Sequence, residues 1–192
     1  MSTPGRYGAV AMALHWIVAA LALGQIALGW WMTALPDNTG VQRDWFNLHK
    51  SIGITLGLLI VVRLGWRITH PVAALPESLP RWQAIAARIN HRLLYAALIA
   101  QPLAGYLGSS FTKYPIRYFG ATLPAWGWDA PALKAFFSGV HFTLACLITG
   151  LIALHITAAL HHLARQDGVF ERMWPWRRVR VEHRRVAARP SV

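Results

Sequence analysis

Residues 135–164, AFFSGVHFTLACLITGLIALHITAALHHLA, run for thirty positions without an Asp, Glu, Lys or Arg. A helix rises about 1.5 Å per residue, so this run is long enough to cross a hydrocarbon core of about 30 Å. His141 and His155 stand inside it, fourteen residues apart. That spacing is close to four helical turns, so both imidazoles share one face at depths about 21 Å apart. A polar side chain in lipid needs an internal partner. Two imidazoles at two depths on one face suit axial ligands for two cofactors.

The rest of the chain agrees with a membrane setting. Of its 192 residues, 55% are hydrophobic and only 14% are charged, a composition foreign to a soluble domain. The net charge of +12 would suit nucleic acid, but its placement at the flanks of apolar runs reads as a membrane-side bias, with no nucleic-acid partner. Cys146 is the only cysteine, so no internal disulfide forms, and no CxxCH attachment motif is present. The first apolar run, about Tyr7 to Leu35, is too long for a signal peptide and reads as a retained span.

The fold expected is an all-α integral membrane four-helix bundle over residues 1–173, with a basic tail at 174–192. Helix 1 is expected over about Gly8 to Ala34, and helix 2 from about Phe46 to Ile68. A short amphipathic helix, Arg81 to Arg92, is expected at the interface, and then helix 3 from His91 to Ser110, bent at Pro102. The loop from Phe111 to Pro131 carries Tyr114, Tyr118, Phe119, Trp126 and Trp128, as an interfacial aromatic belt would. Helix 4 is the opening stretch. Four crossings put both termini on one side. Fourteen of the nineteen Lys and Arg lie on that side, so the positive-inside rule puts both termini in the cytoplasm.

With that topology the histidines pair by depth. His15 and His155 each lie about eight residues from the cytoplasmic end of their helices, and His49 and His141 both lie near the outer end. Each pair suits a flat cofactor between helices, and a bis-histidine haem fits best. Gly53 and Gly57 on the face of His49, Ala19 and Ala22 on that of His15, and Ala145 beside His141 would leave room for the macrocycle. A zinc site is the competing reading, but zinc usually takes three or four clustered ligands. Each histidine has a plainer reading as an interhelical hydrogen-bond partner. His161, His162 and His91 are candidates for holding a quinone or a proton, or are solvated interfacial residues. His70 ends helix 2, and His183 lies in the tail.

Four motifs sharpen this reading: A-L-H-W at Ala13–Trp16, N-L-H-K-S-I-G at Asn47–Gly53, H-x13-H in helix 4, and D-G-V-F-E-R-M at Asp167–Met173. Together they resemble the bacterial di-haem cytochrome b561 family, related to the b-type cytochrome subunit of nickel hydrogenases. The resemblance runs from about Tyr7 to Met173. It implies two haem b groups with ligands at His15, His49, His141 and His155, in a multi-pass protein of the bacterial inner membrane.

It also implies electron transfer across the bilayer to ubiquinone, and in some members oxidation of superoxide at the outer face, a superoxide oxidase. Lys50, Lys113, Arg117 and Lys134 would draw an anionic donor to the outer haem; contact with lipid headgroups or haem carboxylates is their alternative use. An electron-relay anchor for a partner dehydrogenase or hydrogenase is the other functional class, and a haem-free transporter a third. The sequence does not specify the oligomeric state.

Overall fold

A computed structural model describes residues 6–37, 39–70 and 79–175. It is mostly helical, with four long helices: α1 (Ala9–Thr33), α2 (Gly40–Thr69), α3 (Arg81–Ser110) and α4 (Pro131–Arg165). Three of them, α1, α2 and α4, are long and apolar enough to cross a membrane. Most of α4 faces outward with Phe142, Leu147, Leu154 and Leu160 exposed, and a helix apolar all round is at home in lipid.

Three boundaries differ from the sequence expectation. α2 begins at Gly40 rather than near Phe46, because Thr39 caps it by accepting a hydrogen bond from Gln42 N–H at 3.1 Å. The polar turn through Arg43 and Asp44 is therefore helical although it is not apolar. The expected interfacial helix over Arg81–Arg92 is no separate element. It is the first third of α3, which continues unbroken through Pro102. No glycine or proline separates Arg81 from Gln101, so nothing stops the helix. α4 starts at Pro131, where the missing proline N–H costs nothing at the first helical position. The segment 71–78, His183 and nearly all of the expected basic tail, from residue 176 on, lie outside the described residues.

Backbones approach closely between α1 and α2, α2 and α3, and α3 and α4. Val18, Ala22, Leu56 and Ile60 form the central packing, with Tyr95, Leu98, Ile99 and Ile152 against it. Gly57 lets α3 come close: a Cβ there would meet the Pro102 ring at 2.9 Å. α1 and α4 face each other across a wider gap bridged by side chains, among them Trp30 with Phe142 and His15 with His155.

The bundle has two distinct ends. At one, the described chain ends meet: Tyr7 N–H donates to Arg172 C=O at 3.2 Å, and Trp16 Nε1–H to Met173 C=O at 2.9 Å. At the other end the aromatic loop forms an antiparallel hairpin of β1 (Ile116–Tyr118) and β2 (Ala121–Leu123). Phe119 (φ 45°) and Gly120 (φ 94°) make its two-residue turn, both in the left-handed region that such turns need. Ser51, almost fully buried, accepts from Phe119 N–H at 2.9 Å and fastens the hairpin to α2.

Candidate cofactor site

α1 and α3 run from the terminus end to the hairpin end, and α2 and α4 run back. That alternation puts His15, His91 and His155 in one layer and His49 and His141 in another. The His15 and His155 ring centres are 6.1 Å apart, and those of His49 and His141 are 6.2 Å apart. These are the partners named from helix depth. Two imidazole nitrogens on opposite sides of one metal ion, each about 2 Å from it, put their ring centres about 6 Å apart. Both pairs meet that requirement.

In the hairpin-end layer the ring orientations are set by neighbours. His141 Nδ1–H donates to the backbone carbonyl of Gln101 at 3.0 Å, which makes Nε2 the nitrogen with the lone pair able to bind metal. The Gln101 side-chain amide lies 3.2 Å from that nitrogen. Gln25, buried on α1, donates to His49 C=O at 2.7 Å and holds the helix turn that carries the ligand candidate. His49 Nδ1, Gln25 Oε1 and Gln101 Oε1 are buried without hydrogen-bond partners among the described residues. Such polar atoms suit a site shaped for an occupant with polar edges.

Three of the five small residues expected to make room, Gly53, Gly57 and Ala22, act otherwise. Gly53 admits the Gln25 amide, Gly57 admits Pro102, and Ala22 is packed in the core. The glycines that border the imidazoles are Gly29, where a Cβ would lie 3.5 Å from His49 Cε1, and Gly105, where it would lie 3.0 Å from His141 Cε1. Sequence reasoning missed both, because their partners lie on other helices.

The terminus-end layer holds a third ring. His91 on α3 is 5.1 Å from His155, closer than opposite ligands of one metal stand. Among the described residues, no three of the His, Cys, Asp and Glu side chains converge as a metal-holding group. The remaining candidates are spread out. Lys50 is half-buried next to His49, and Lys113, Arg117 and Lys134 are exposed toward the hairpin end. His161 is exposed at the last turns of α4. His162 is half-buried there, with Nδ1 2.6 Å from Asp167 Oδ2. Burial works against the Asp167 charge, but hydrogen bonds from His162 and from Val169 N–H hold its carboxyl below the usual carboxylate range.

The family model for prokaryotic cytochrome b561 matches residues 6–176. The chain belongs to the prokaryotic cytochrome b561 family. Two Escherichia coli K12 proteins of that name are similar over almost their whole length. Cytochrome b561 homolog 2 is 39% identical over 175 residues, covering 90% of this chain and 93% of the relative. Cytochrome b561 homolog 1 is 27% identical over 177 residues, covering 90% and 99%. This cytochrome b561 is therefore a multi-pass protein of the bacterial inner membrane that transfers electrons with b-type haem. The nitrogen donors and the ring separations fit such a group.

Proposed function

We propose that this cytochrome b561 holds two haems and carries electrons from a periplasmic donor, superoxide, to ubiquinone. His15 and His155 would ligate the inner haem, and His49 and His141 the outer one. The observation that supports this most is the pair of ring separations, 6.1 and 6.2 Å, repeated four turns apart along α4. In this reading all four long helices cross the bilayer, and the excess of Lys and Arg at the terminus end puts both termini in the cytoplasm. α3, at thirty residues, has length for a crossing beyond its basic first turns.

A haem held by each histidine pair would supply reversible one-electron storage. The chain's own residues do the rest. Lys50, half-buried in the turn of His49, sets a positive charge beside the outer layer, and Lys113, Arg117 and Lys134 extend the field outward. Each superoxide gives up one electron and leaves as dioxygen. Reducing one quinone to quinol takes two electrons and two protons, so two donors are used per quinone. His162 is the candidate to hold a proton there: Asp167 fixes its Nδ1 side and leaves Nε2 for an acceptor. His161 and His91 are the other inner candidates.

The purified protein should give two haems per chain by the pyridine haemochrome assay. Pulse-generated superoxide should reduce them at a rate that falls steeply between low salt and 0.1 M, where the Debye length is about 10 Å. A colourless protein sinks the whole reading. A salt-insensitive rate, no faster than with a neutral donor, leaves a plain carrier, and co-purification with a larger dehydrogenase would make it a relay anchor.

A further inference from the structure

Arg63 stands on α2 fourteen residues beyond His49, on nearly the same helical face and about 21 Å deeper. It is half-buried. One guanidinium nitrogen donates to Ala11 C=O at 3.3 Å, one turn before His15. Its Cζ lies 5.9 Å from the centre of the Tyr95 ring, one turn after His91.

Among the described residues no carboxylate answers that charge. Of the seven Asp and Glu of the chain, the five described ones lie at positions 37, 44, 129, 167 and 171, none in the apolar middle of a helix. Among the described residues Arg63 makes no salt bridge to an acidic side chain. A guanidinium inside a membrane span without a counter-ion is costly, and one carbonyl leaves most of its five donors unused. Tyr95 Oη is buried beside it, near enough to accept one of those donors, and its own O–H has no acceptor among the described residues. The histidine layer thus has a cation and a hydroxyl donor waiting for an anion, in a slot that fits a haem. Haem b carries two carboxylates.

We propose that Arg63 is the counter-ion of the inner haem: its guanidinium, with the Tyr95 hydroxyl, takes a haem carboxylate and raises that haem's reduction potential. The sign follows from charge. The reduced iron carries one positive charge fewer, so a fixed cation favours it, and removing the cation leaves the carboxylate uncompensated, which favours the oxidised form. This inference rests on the assignment of His15 and His155 to one haem.

The test is a spectroelectrochemical titration of the full-chain holoprotein. Arg63→Gln should lower one of the two midpoint potentials by at least a tenfold change in equilibrium constant, or 59 mV for one electron, and move the other by less than twofold. Loss of that haem alone would equally support the anchoring role. His155→Ala, measured beside it, identifies which potential belongs to the inner haem. If His155→Ala removes neither haem, the pair assignment fails and takes this one with it. If it removes one haem and Arg63→Gln leaves that haem's potential within twofold, only the Arg63 assignment is overturned, and Arg63 merely fastens α1 and α3 to α2. Should Arg63→Gln not accumulate, Arg63→Lys keeps the charge and loses the fork. With haem labelled at its carboxylate carbons, the reduced-minus-oxidised infrared spectrum should then show a moved carboxylate band. An unmoved band overturns the proposal.

Discussion

At the hairpin end, His49 and His141 are framed by two glutamine amides, a backbone carbonyl and two glycines that leave the imidazoles space, with the half-buried Lys50 beside His49. At the terminus end, His15 and His155 have a third imidazole and a half-buried arginine for neighbours. The ring separations differ by only 0.1 Å. One bundle therefore repeats the same ligand spacing at two depths and varies the groups around it. The two pairs share α4 but draw their second imidazole from different helices, α1 for His15 and α2 for His49. Close glycines distinguish the outer layer and the half-buried Arg63 the inner one, so substitutions in each should fail in different ways.

The largest effect belongs to the ligand candidates. His49→Ala and His141→Ala should each remove the same haem, and His15→Ala and His155→Ala the other, with the haem count falling from two per chain to one. Difference spectra of the four variants check this directly. Loss in crossed pairs, His49 with His155 for example, would break the comparison between layers altogether.

A smaller effect tests shape. Gly105→Ala adds a Cβ 3.0 Å from His141 Cε1 and 3.1 Å from Nδ1, and the ring is tied to the same helix one turn earlier by its hydrogen bond to Gln101 C=O. Overpacking of this kind costs about 1–3 kcal/mol, so outer-haem affinity should fall roughly five- to a hundredfold while inner-haem content is unchanged. Gly24→Ala, on a helix face with nothing within 4 Å of the new Cβ, is the control and should be neutral or slightly stabilising. Haem retention during detergent dialysis measures both. Equal loss in the two variants would mean that Gly105 is no part of the outer frame.

The two layers were not equally legible in the sequence. The pairing His15–His155 and His49–His141 follows from helix periodicity and the length of the apolar runs alone, because depth along a straight helix is linear in residue number. Arg63 is visible in the sequence, but reads there as a side chain snorkelling to headgroups. Its place between Ala11 and Tyr95 depends on how three helices pack. The same holds for Gly29, Gly105, Gln25 and Gln101, whose partners are on other helices. The hairpin was missed for a local reason. Its turn is Phe-Gly, with Phe119 at φ 45°, where Asn or Asp would have signalled the turn. Hydrogen bonds to Ser51 and Thr55 of α2 hold it there. The joined α3 was missed because basic residues spaced along a helix resemble an interfacial segment until its neighbours are known.

The smallest effect separates the inner layer from the membrane edge beneath it. Asp167 lies twelve residues after His155, beyond the last turn of α4, where Gln166 takes the left-handed conformation that ends the helix. Its carboxyl is held below its ordinary value of 3.8: burial pushes it up, and the His162 and Val169 hydrogen bonds outweigh that. A depressed carboxylate contributes stability that is fully present above the unfolded value, and is lost as the pH falls through the lower folded value. The contact therefore persists through the neutral range, and Asp167→Asn should loosen the α4 terminus at pH 7 by no more than about 1 kcal/mol, as for solvent-edge pairs. Wild type and variant should converge once the pH falls below that folded value. Amide exchange at Leu163 to Val169 reads the difference. Both haem potentials should stay where they are, because the charge pair is outside the histidine layers, whereas electron transfer to quinone slows and transfer to ferricyanide, which needs no proton, does not. A shift of the inner potential in Asp167→Asn would mean that the inner layer's charge environment extends to the membrane edge, and Arg63 would no longer stand alone as the group that distinguishes it from the outer one.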